Sequence, residues 1–369
     1  MLSQHEVKRC TRCIMPEHYP GIEFNEAGVC NYCSIHKKPR YKGKEELDKF
    51  LGSFRNKGGK YDCLVGISGG QDSSYMLYYL AKVCDLRVLA YTADNGFRSD
   101  AAKTNVKKMT DILGVELVIE EHDFLKMCVK HNVSSLLRRP SPRMVQIICC
   151  GCRLGGLRGL YKCAQENKIP LVALGDGTFV EKCYYKRRYF KMDLFEGKSG
   201  PLLMLFGLLY EMIRNPFYLT PTNMSVYAAE YLYYISPPSG FLGLVYPNQK
   251  LLRFYHYIEW DEDKILSTIR TELNWTKGAS ASSWRADCKM SLLKNYLLRE
   301  CFGFTEKEDY LSNLIRENMI SREEALERLK NEAIVPQEAI TELCDEIGLN
   351  PSKLSVAVEM ARKNALRKK

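Results

Sequence analysis

The sequence predicts an α/β fold: a mostly parallel sheet with helices on both faces, preceded by a small metal-stapled ribbon and followed by a helical region. Three observations predict it. Apolar runs alternate with amphipathic stretches through the middle of the 369-residue chain, two Cys-x-x-Cys pairs stand near its start, and charged segments with helical periodicity fill its end. Alternation of strand and helix patterns is typical of parallel sheets. The predicted domains are 1–40, 55–280 and 285–369.

The ribbon is predicted from four cysteines in two pairs separated by sixteen residues: Cys10, Cys13, Cys30 and Cys33. Each short spacing lets two thiolates approach one ion, and two pairs complete the tetrahedral sulfur shell that Zn²⁺ accepts. Such a closed shell has no position for a substrate, so we expect a structural zinc that folds an otherwise coreless segment. His18 and His36 are expected on the surface.

The sheet is predicted from four apolar runs, and an amphipathic helix is predicted between the second and third of them. The runs are 62–67, 87–92, 116–119 and 170–174. The helix has apolar residues at Ala102, Val106, Met109 and Leu113, all on one face.

The later part of the chain divides into two regimes. Residues 184–257 contain 12 of the 23 tyrosines. Because tyrosine combines an apolar ring with a hydroxyl group, this region suits either a partly solvated surface that covers a polar ligand or an ordinary insertion packed on the sheet. After residue 291 the pattern is helical and charged, and Ser321 stands three residues before Glu324, as in a capping box.

Composition limits the class of protein. Lys and Arg total 54 against 44 Asp and Glu, giving a net charge of +10, and 46% of residues are hydrophobic. This apolar fraction excludes a disordered or fibrous chain, and the positive charge favours anionic partners such as nucleotides, sugar nucleotides or RNA. The start of the sequence lacks a basic-then-apolar leader, and the longest apolar run, 201–210, is half of a bilayer span. We therefore expect a cytoplasmic protein without a membrane partner.

A phosphate-binding loop is predicted where the first strand runs into small residues and then a helix. Backbone N–H groups and a helix N-terminus converge on one point in such a loop and bind anions. The Gly-Lys-Ser/Thr ending of a Walker A loop is absent. The residues expected to hold the phosphates are Ser68, Gly69, Gly70, Gln71, Asp72, Ser73 and Ser74.

This run resembles the PP-loop signature of the ATP pyrophosphatases, which grip pyrophosphate and transfer AMP. The resemblance implies an adenine nucleotide α-hydrolase-like, Rossmann-like sheet. It also implies that Asp72 and Ser73 act in catalysis, and that Asp94, closing the second strand, contacts the nucleotide. Asp176 closes a later strand and is a further candidate for catalysis or metal binding, although turn chemistry beside glycine explains Asp94 and Asp176 equally well.

Four motifs extend the resemblance over nearly the whole chain, to the N-acetyl sugar amidotransferases, which include the WbpG- and PseA-like proteins. They lie at 10–16, 28–33, 66–74 and 282–288. The resemblance implies ATP and Mg²⁺ as cofactors and a nucleotide-activated N-acetyl sugar as substrate. Its product would be an acetamidino sugar for lipopolysaccharide, O-antigen or related sugar biosynthesis. Separate glutaminase and cyclase-like partners would supply ammonia, because the sequence shows no glutaminase motif of its own.

Two alternatives stay open. Cys149 and Cys152, with Cys183 as a third ligand, have a spacing that would carry sulfur or an iron–sulfur cluster in a PP-loop tRNA thiolation enzyme; alternatively, they simply cap a helix that starts near Arg153. The other alternative is a non-enzymatic, zinc-dependent interaction protein. Five basic residues suit phosphate contacts, although a solvated face explains them equally well: Arg153, Arg158, Lys186, Arg187 and Arg188. Trp284 suits stacking on a nucleotide ring, although burial in the helical region also explains it. Ser282, Ser283, Arg285 and Asp287 match the last motif of the resemblance, and the sequence defines no role for them.

Overall fold

A five-stranded, entirely parallel sheet forms the centre of the computed structural model. The structure describes residues 7–121, 123–176, 178–181, 183–184, 192–193, 198–199, 201–230, 242–278, 287–332 and 335–366. The strands are β1 (Cys63–Gly66), β2 (Val88–Asp94), β3 (Glu116–Glu121), β4 (Leu171–Leu174), β5 (Met192–Asp193), β6 (Lys198–Ser199) and β7 (Lys250–Arg253). The five strands of the sheet lie in the order β3-β2-β1-β4-β7, and β5 and β6 form a separate antiparallel pair.

Helices cover both faces of the sheet and build the C-terminal region. Those up to the last strand are α1 (Asn31–Ser34), α2 (Lys44–Gly52), α3 (Gln71–Tyr78), α4 (Asp100–Leu113), α5 (Asp123–Arg138), α6 (Pro142–Val145), α7 (Cys152–Glu166), α8 (Pro201–Arg214), α9 (Pro221–Glu230) and α10 (Leu242–Val245). After β7 follow α11 (Glu262–Leu273), α12 (Met290–Phe302), α13 (Glu306–Arg316), α14 (Arg322–Glu332), α15 (Gln337–Glu346) and α16 (Pro351–Leu366). Within the described ranges, no helix is long and apolar enough to span a bilayer.

Alternate residues of the central strands point to opposite faces, as strand geometry requires. Leu64 and Leu89 pack with α7 on one face, whereas Val65 and Ala90 pack with α3 and α4 on the other. Each face is therefore covered, which explains why the strands read as continuous apolar runs.

The ribbon packs against the C-terminal helices. Arg9 pairs with Glu308 on α13, and the Arg322 guanidinium donates to the backbone oxygens of Cys10 and Cys13. The ribbon cysteines and the apolar residues of α12 and α15 share one hydrophobic core. The coreless N-terminal segment is thus completed by residues from the far end of the chain.

Asp309 lies at this junction and should give stability a pH dependence. Its carboxylate accepts hydrogen bonds from Tyr19 and Cys183 at 2.6 and 3.2 Å, but burial raises its pKa from 3.8 to about 7. Because the folded pKa is raised, the folded state binds more protons, so its contribution to stability is present below about pH 4 and lost as pH rises to about 7. We expect the free energy of unfolding, measured in urea, to fall over this interval.

Asp309→Asn should flatten the dependence of the unfolding free energy on pH. The control is Asp345→Asn, at an exposed position of α15, which should preserve that dependence. An equal slope in wild type and Asp309→Asn would contradict the assignment.

Most sequence expectations about the fold are confirmed. The four predicted strands are present with bounds shifted by no more than two residues, and α4 buries Ala102, Val106 and Met109. The Ser321 hydroxyl accepts from the Glu324 backbone, as a helix cap does. The tyrosine-rich region contains α8, α9, α10 and β7; residues 185–191 and 231–241 lie outside the described residues.

The expectation that His36 is on the surface is wrong. The His36 side chain is 6% exposed and pairs with Glu317, because the ribbon folds onto the C-terminal helices. His18 is half-buried and lies against the position where a side chain would stand on Gly303.

Candidate functional site: a phosphate loop at the sheet's switch point

The predicted phosphate loop occupies the point at which the strand order of the sheet reverses. β1 pairs with β2 on one side and with β4 on the other, so the connections leaving β1 and β4 run in opposite directions. In open parallel sheets ligands bind at the carboxyl ends of strands at such a point. The loop runs from the end of β1 to the start of α3, where Gln71 is the first helical residue.

Glycine at position 69 is required by both backbone conformation and space. Gly69 has φ +83°, and a Cβ there would lie 2.3 Å from the backbone oxygen of Ala102. The Gly69 carbonyl accepts from the Trp275 indole at 2.9 Å and from the Asn105 amide at 3.4 Å. The turn is thus clamped between α4 and the segment after α11.

Gly69→Ala should therefore abolish nucleotide binding, because the added methyl group collides with α4 in addition to straining the backbone. Gly58→Ala is the matched control, because Gly58 has φ +88° and no atom lies within 4 Å of the position that its Cβ would take. Both variants incur roughly 1–2 kcal/mol from the positive φ, whereas only Gly69→Ala must displace α4. Isothermal titration with ATP checks this, and equal affinities for the two variants would contradict it.

The three serines form a hydrogen-bonded set within the loop. The Ser73 hydroxyl accepts from the backbone N–H of Ser68 at 3.1 Å, and the Ser68 hydroxyl accepts from Gly70 N–H at 3.2 Å. Ser74 is fully buried, and its hydroxyl donates to the Gly70 oxygen. Ser68 and Ser73 are half-buried at the loop, while Ser74 holds the loop from inside.

Asp72 lies in the first turn of α3, held by residues from the second half of the chain. The Trp260 indole donates to its Oδ1 at 2.8 Å, and the Tyr255 hydroxyl donates to its backbone oxygen at 3.0 Å. Gly175, after β4, approaches so closely that a Cβ would lie 3.4 Å from the same oxygen. The structure therefore brings Asp72 next to the segment that carries Asp176.

Asp176 pairs with Arg253, the last residue of β7, at 2.7 Å. Its other oxygen, Oδ1, is buried with no hydrogen-bond partner among the described residues. Carboxylate oxygens are the ligands that Mg²⁺ prefers, so this oxygen fits a divalent cation or a nucleotide donor.

Asp94 closes β2 and takes part in the local turn. Its Oδ1 accepts from Gly96 N–H at 2.8 Å, and Lys103 lies 3.7 Å from its Oδ2. The turn chemistry expected beside glycine is thus present, and the neighbouring Lys103 gives this edge positive charge.

Two further residues, Arg98 and Asp287, lie at the site. The sequence places Asp287 in the motif 282–288 without defining its role, and it gives no signal for Arg98. Arg98 is buried, and its guanidinium donates to the backbone oxygen of Ala93 at 2.9 Å. Burial lowers its pKa, and the nearby carboxylates of Asp94 and Asp287 oppose that shift. The Asp287 carboxylate lies 3.5 Å from where a Gly70 side chain would stand.

The other basic and motif residues predicted as phosphate or ring contacts are not brought to the loop by any described contact. Residues 282–285 lie outside the described residues, as do 186–188. Arg158 is exposed on α7, and the Arg153 side chain is not described.

The four ribbon cysteines form a closed, buried cluster whose sulfur atoms all lie within 4.8 Å of one another. The distance is 4.0 Å from Cys10 Sγ to Cys33 Sγ and 3.8 Å from Cys13 Sγ to Cys30 Sγ. Zn–S bonds of about 2.3 Å in a tetrahedron place sulfurs about 3.8 Å apart, so the cluster fits one metal ion.

A buried arginine stabilises the charge of this cluster. Arg316 on α13 is 1% exposed and donates to Cys33 Sγ and Cys13 Sγ, each at 3.4 Å. A buried guanidinium requires negative partners, which metal-bound thiolates provide.

A second group of cysteines lies near the end of β2. Cys152 begins α7, with Gly151 at φ +97° as its N-cap, so the expected helix start is confirmed. The Asn95 amide donates to Cys152 Sγ at 3.7 Å and to Cys288 Sγ at 4.0 Å. Burial raises the pKa of Cys288 to about 12, and the neighbouring Cys149 contributes to this rise. Cys183, predicted as the third ligand, instead donates to Asp309.

The sheet order, the loop at its switch point and the appended ribbon and helices define a parallel α/β protein whose loop 68–74 has the PP-loop sequence pattern. Residues 253–368 match the family model of the C-terminal domain of WbpG-like LPS biosynthesis proteins. The predicted resemblance to WbpG-like proteins is thereby confirmed for this part of the chain.

The individual proteins that resemble this chain match only part of it or have low sequence identity to it. An uncharacterized protein of Methanocaldococcus jannaschii is 32% identical over 120 residues, which is 31% of this chain and 43% of that protein. The chain thus spans less than half of this relative. The U34-tRNA thiolase NcsA of Methanococcus maripaludis, solved with its 4Fe-4S cluster, has TM-score 0.33 and 14% identity, covering 87% of this chain and 88% of its own. NMN synthetase of Francisella tularensis has TM-score 0.37 and 13% identity, covering 78% and 92%.

Proposed function

We propose that this protein is an ATP-dependent amidotransferase that converts the N-acetyl group of a nucleotide-activated sugar into an acetamidino group. One observation carries the proposal: the segment that matches the WbpG-like domain completes the phosphate loop. Trp260, Trp275 and Asp287 all belong to it, and each lies against a loop residue. The part of the chain related to sugar biosynthesis and the nucleotide site therefore form one unit.

The chemistry of the substrate explains why such an enzyme needs ATP. A carboxamide carbon is a poor electrophile, since nitrogen donates into the carbonyl, and its oxygen is a poor leaving group. If the amide oxygen attacks the α-phosphorus, the bond to pyrophosphate breaks, the amide nitrogen loses its proton and an O-adenylyl imidate forms. Ammonia adds to its carbon and AMP leaves with the former amide oxygen, so that C=O becomes C=NH.

The loop residues have distinct parts in this reaction. Ser68, Ser73 and the loop backbone bind the departing pyrophosphate, whose developing charge is stabilised by preorganised donors. Asp72 and Asp176 would hold Mg²⁺, which neutralises phosphate charge. The indole of Trp260 orients the Asp72 carboxylate. The ribbon cysteines would hold Zn²⁺ in a structural role.

Ammonia is proposed to come from separate glutaminase and cyclase-like subunits. The purified chain should therefore use ammonium but not glutamine. The test is mass spectrometry of UDP- and CMP-linked N-acetyl sugars incubated with ATP, Mg²⁺ and either nitrogen source. Replacement of oxygen by NH together with AMP release supports the proposal. Turnover with glutamine as the nitrogen source would show that the chain needs no separate subunits to supply ammonia. Orthophosphate release without AMP, or no sugar product with ammonium, would contradict the function.

A second candidate function is sulfur transfer to tRNA. It is favoured because Cys149, Cys152 and Cys288 lie close together beside the loop. In that case AMP release should require tRNA, and binding should weaken steeply with salt. Measuring AMP with tRNA and with sugar nucleotide in parallel separates the two candidates.

A further inference from the structure

The exposed apolar side chains of the described residues are concentrated on α8 and on the 3-10 turn that follows it, Pro216–Tyr218. Six of the 18 large hydrophobic side chains that are exposed lie within 14 consecutive positions. Ile213 is 77% exposed and Phe206 is 64% exposed. Proteins commonly expose such side chains singly, whereas a group of this size marks an interaction surface. These six residues form what we call the α8 surface: Phe206, Leu209, Tyr210, Ile213, Phe217 and Leu219.

The opposite side of α8 is already packed. Leu208 and Met212 are buried in the hydrophobic core that also contains residues of α5. Hydrogen bonds fix the end of the helix on α5. The Asn215 amide donates to the Ser135 backbone oxygen at 2.7 Å, and the Ser135 hydroxyl donates to the Phe217 backbone oxygen at 3.0 Å. A helix that is apolar on all sides is normally buried on all sides, so the exposed side of α8 fits a second apolar partner.

Arginines lie beside the α8 surface. The Arg138 guanidinium is 3.6 Å from the centroid of the Phe217 ring, and the Arg214 guanidinium is 5.2 Å from that of the Tyr210 ring. The Arg139 guanidinium donates to the Arg214 backbone oxygen at 2.7 Å. Within the part of the chain that the structure describes, no carboxylate pairs with these three arginines. The α8 surface therefore combines apolar side chains with positive charge that no carboxylate neutralises.

The sign of this charge favours a lipid partner. The one carboxylate of α8, Glu211, is buried and pairs with a fourth arginine, Arg143, at 3.6 Å. Guanidinium groups match the oxygens of phosphates, and aromatic and aliphatic side chains flanked by arginines are typical of helices that lie in the headgroup region of an anionic bilayer. With 14 residues, α8 is too short to cross a bilayer but long enough to lie in its plane.

We propose that the α8 surface binds the surface of an anionic lipid bilayer. Its apolar side chains enter the boundary between headgroups and acyl chains, and the three arginines without a carboxylate partner bind lipid phosphates. The expectation of no membrane partner rests on the absence of a spanning segment, and binding at the surface needs none. The proposal adds a location to the proposed activity and does not depend on that activity.

The test uses the full chain and extruded vesicles of phosphatidylcholine, either alone or mixed in equal amounts with phosphatidylglycerol. We expect the protein to float with the anionic vesicles in a density gradient. Binding to the neutral vesicles should be weaker by roughly a hundredfold, since each of the three arginines contributes about fivefold at an anionic surface. Added salt should weaken the anionic binding, because it screens exposed charges.

Two matched pairs of variants locate the contact. Ile213→Glu should weaken binding to anionic vesicles roughly tenfold or more, because a large apolar side chain is lost and a negative charge is added. Ile112→Glu, the same substitution at an exposed position of α4, should bind like wild type. Arg138→Gln should weaken binding about fivefold, and Lys107→Gln, at an exposed position of α4, should not. Circular dichroism and the content of ribbon metal report that each variant is folded.

Wild-type protein that does not float with anionic vesicles would overturn the proposal, and so would equal binding to both kinds of vesicle. Wild-type affinity in Ile213→Glu would do the same. If the wild type ignores vesicles but forms a dimer that Ile213→Glu breaks, seen by analytical ultracentrifugation, the α8 surface is instead an interface between copies of the chain. None of these measurements uses ATP, sugar or tRNA, so their outcome is independent of the activity assays.

Discussion

Asp72→Asn is expected to lower AMP and pyrophosphate formation by a factor on the order of 10² to 10³, the loss typical when one preorganised electrostatic group is removed. The substitution removes the negative charge but keeps an oxygen that can accept from the Trp260 indole. The first turn of α3 should therefore stay in place. Quantifying AMP by chromatography under saturating ATP, Mg²⁺, ammonium and nucleotide-linked N-acetyl sugar gives the rate.

Asp111→Asn is the matched control, because Asp111 is an exposed carboxylate on α4, away from the loop. It should retain wild-type turnover. Ser73→Ala should behave like Asp72→Asn, since the Ser68 N–H loses its acceptor. Wild-type rates in both loop variants, with normal circular dichroism, would rule out this loop as the site of nucleotide cleavage.

Cys30→Ser is expected to remove the ribbon metal and to destabilise the junction with the C-terminal helices. Without thiolate charge, the Arg316 guanidinium stays buried with its sulfur partners neutral, and an uncompensated buried charge costs about 3–5 kcal/mol. Metal content by mass spectrometry and urea unfolding measure the two effects. Removing the metal from wild type with a chelator should reproduce both.

Cys344→Ala separates the loss of a ligand from the loss of a buried cysteine. Cys344 is fully buried on α15 in the same hydrophobic core as the ribbon. It should retain the metal and lose less stability than Cys30→Ser. Normal metal content in Cys30→Ser would show that the ribbon is not the metal site.

The sheet and the loop are predictable because their signals are local. A buried strand has a run of apolar residues, and a phosphate loop has small residues followed by a helix. Strand β1 and the segment 68–74 can therefore be predicted without the rest of the sequence. Strand β7 is not predictable in this way, because four residues, Lys250–Arg253, carry no periodicity of their own. Its place is set by pairing with β4.

The partners of the loop could not be predicted, because they arise from packing between distant segments. Trp275 reaches Gly69 across 206 positions of sequence, and Trp260 reaches Asp72 across 188. Nothing in the local sequence around either tryptophan indicates a phosphate site. Cys288 differs, because it ends the motif 282–288, one of the four that carry the family resemblance. A cysteine within that motif is the available signal for a third sulfur near Cys149 and Cys152.

The contact between Arg316 and the ribbon sulfurs has a consequence for biosynthesis. Arg316 is translated 283 residues after Cys33, which at typical elongation rates corresponds to about 15–60 s. During that interval the four thiols exist without the counter-charge of Arg316. Stable insertion of the ion is therefore expected late, when the nascent polypeptide is almost complete, and cellular thiol buffering during elongation should affect the yield of correctly metallated protein.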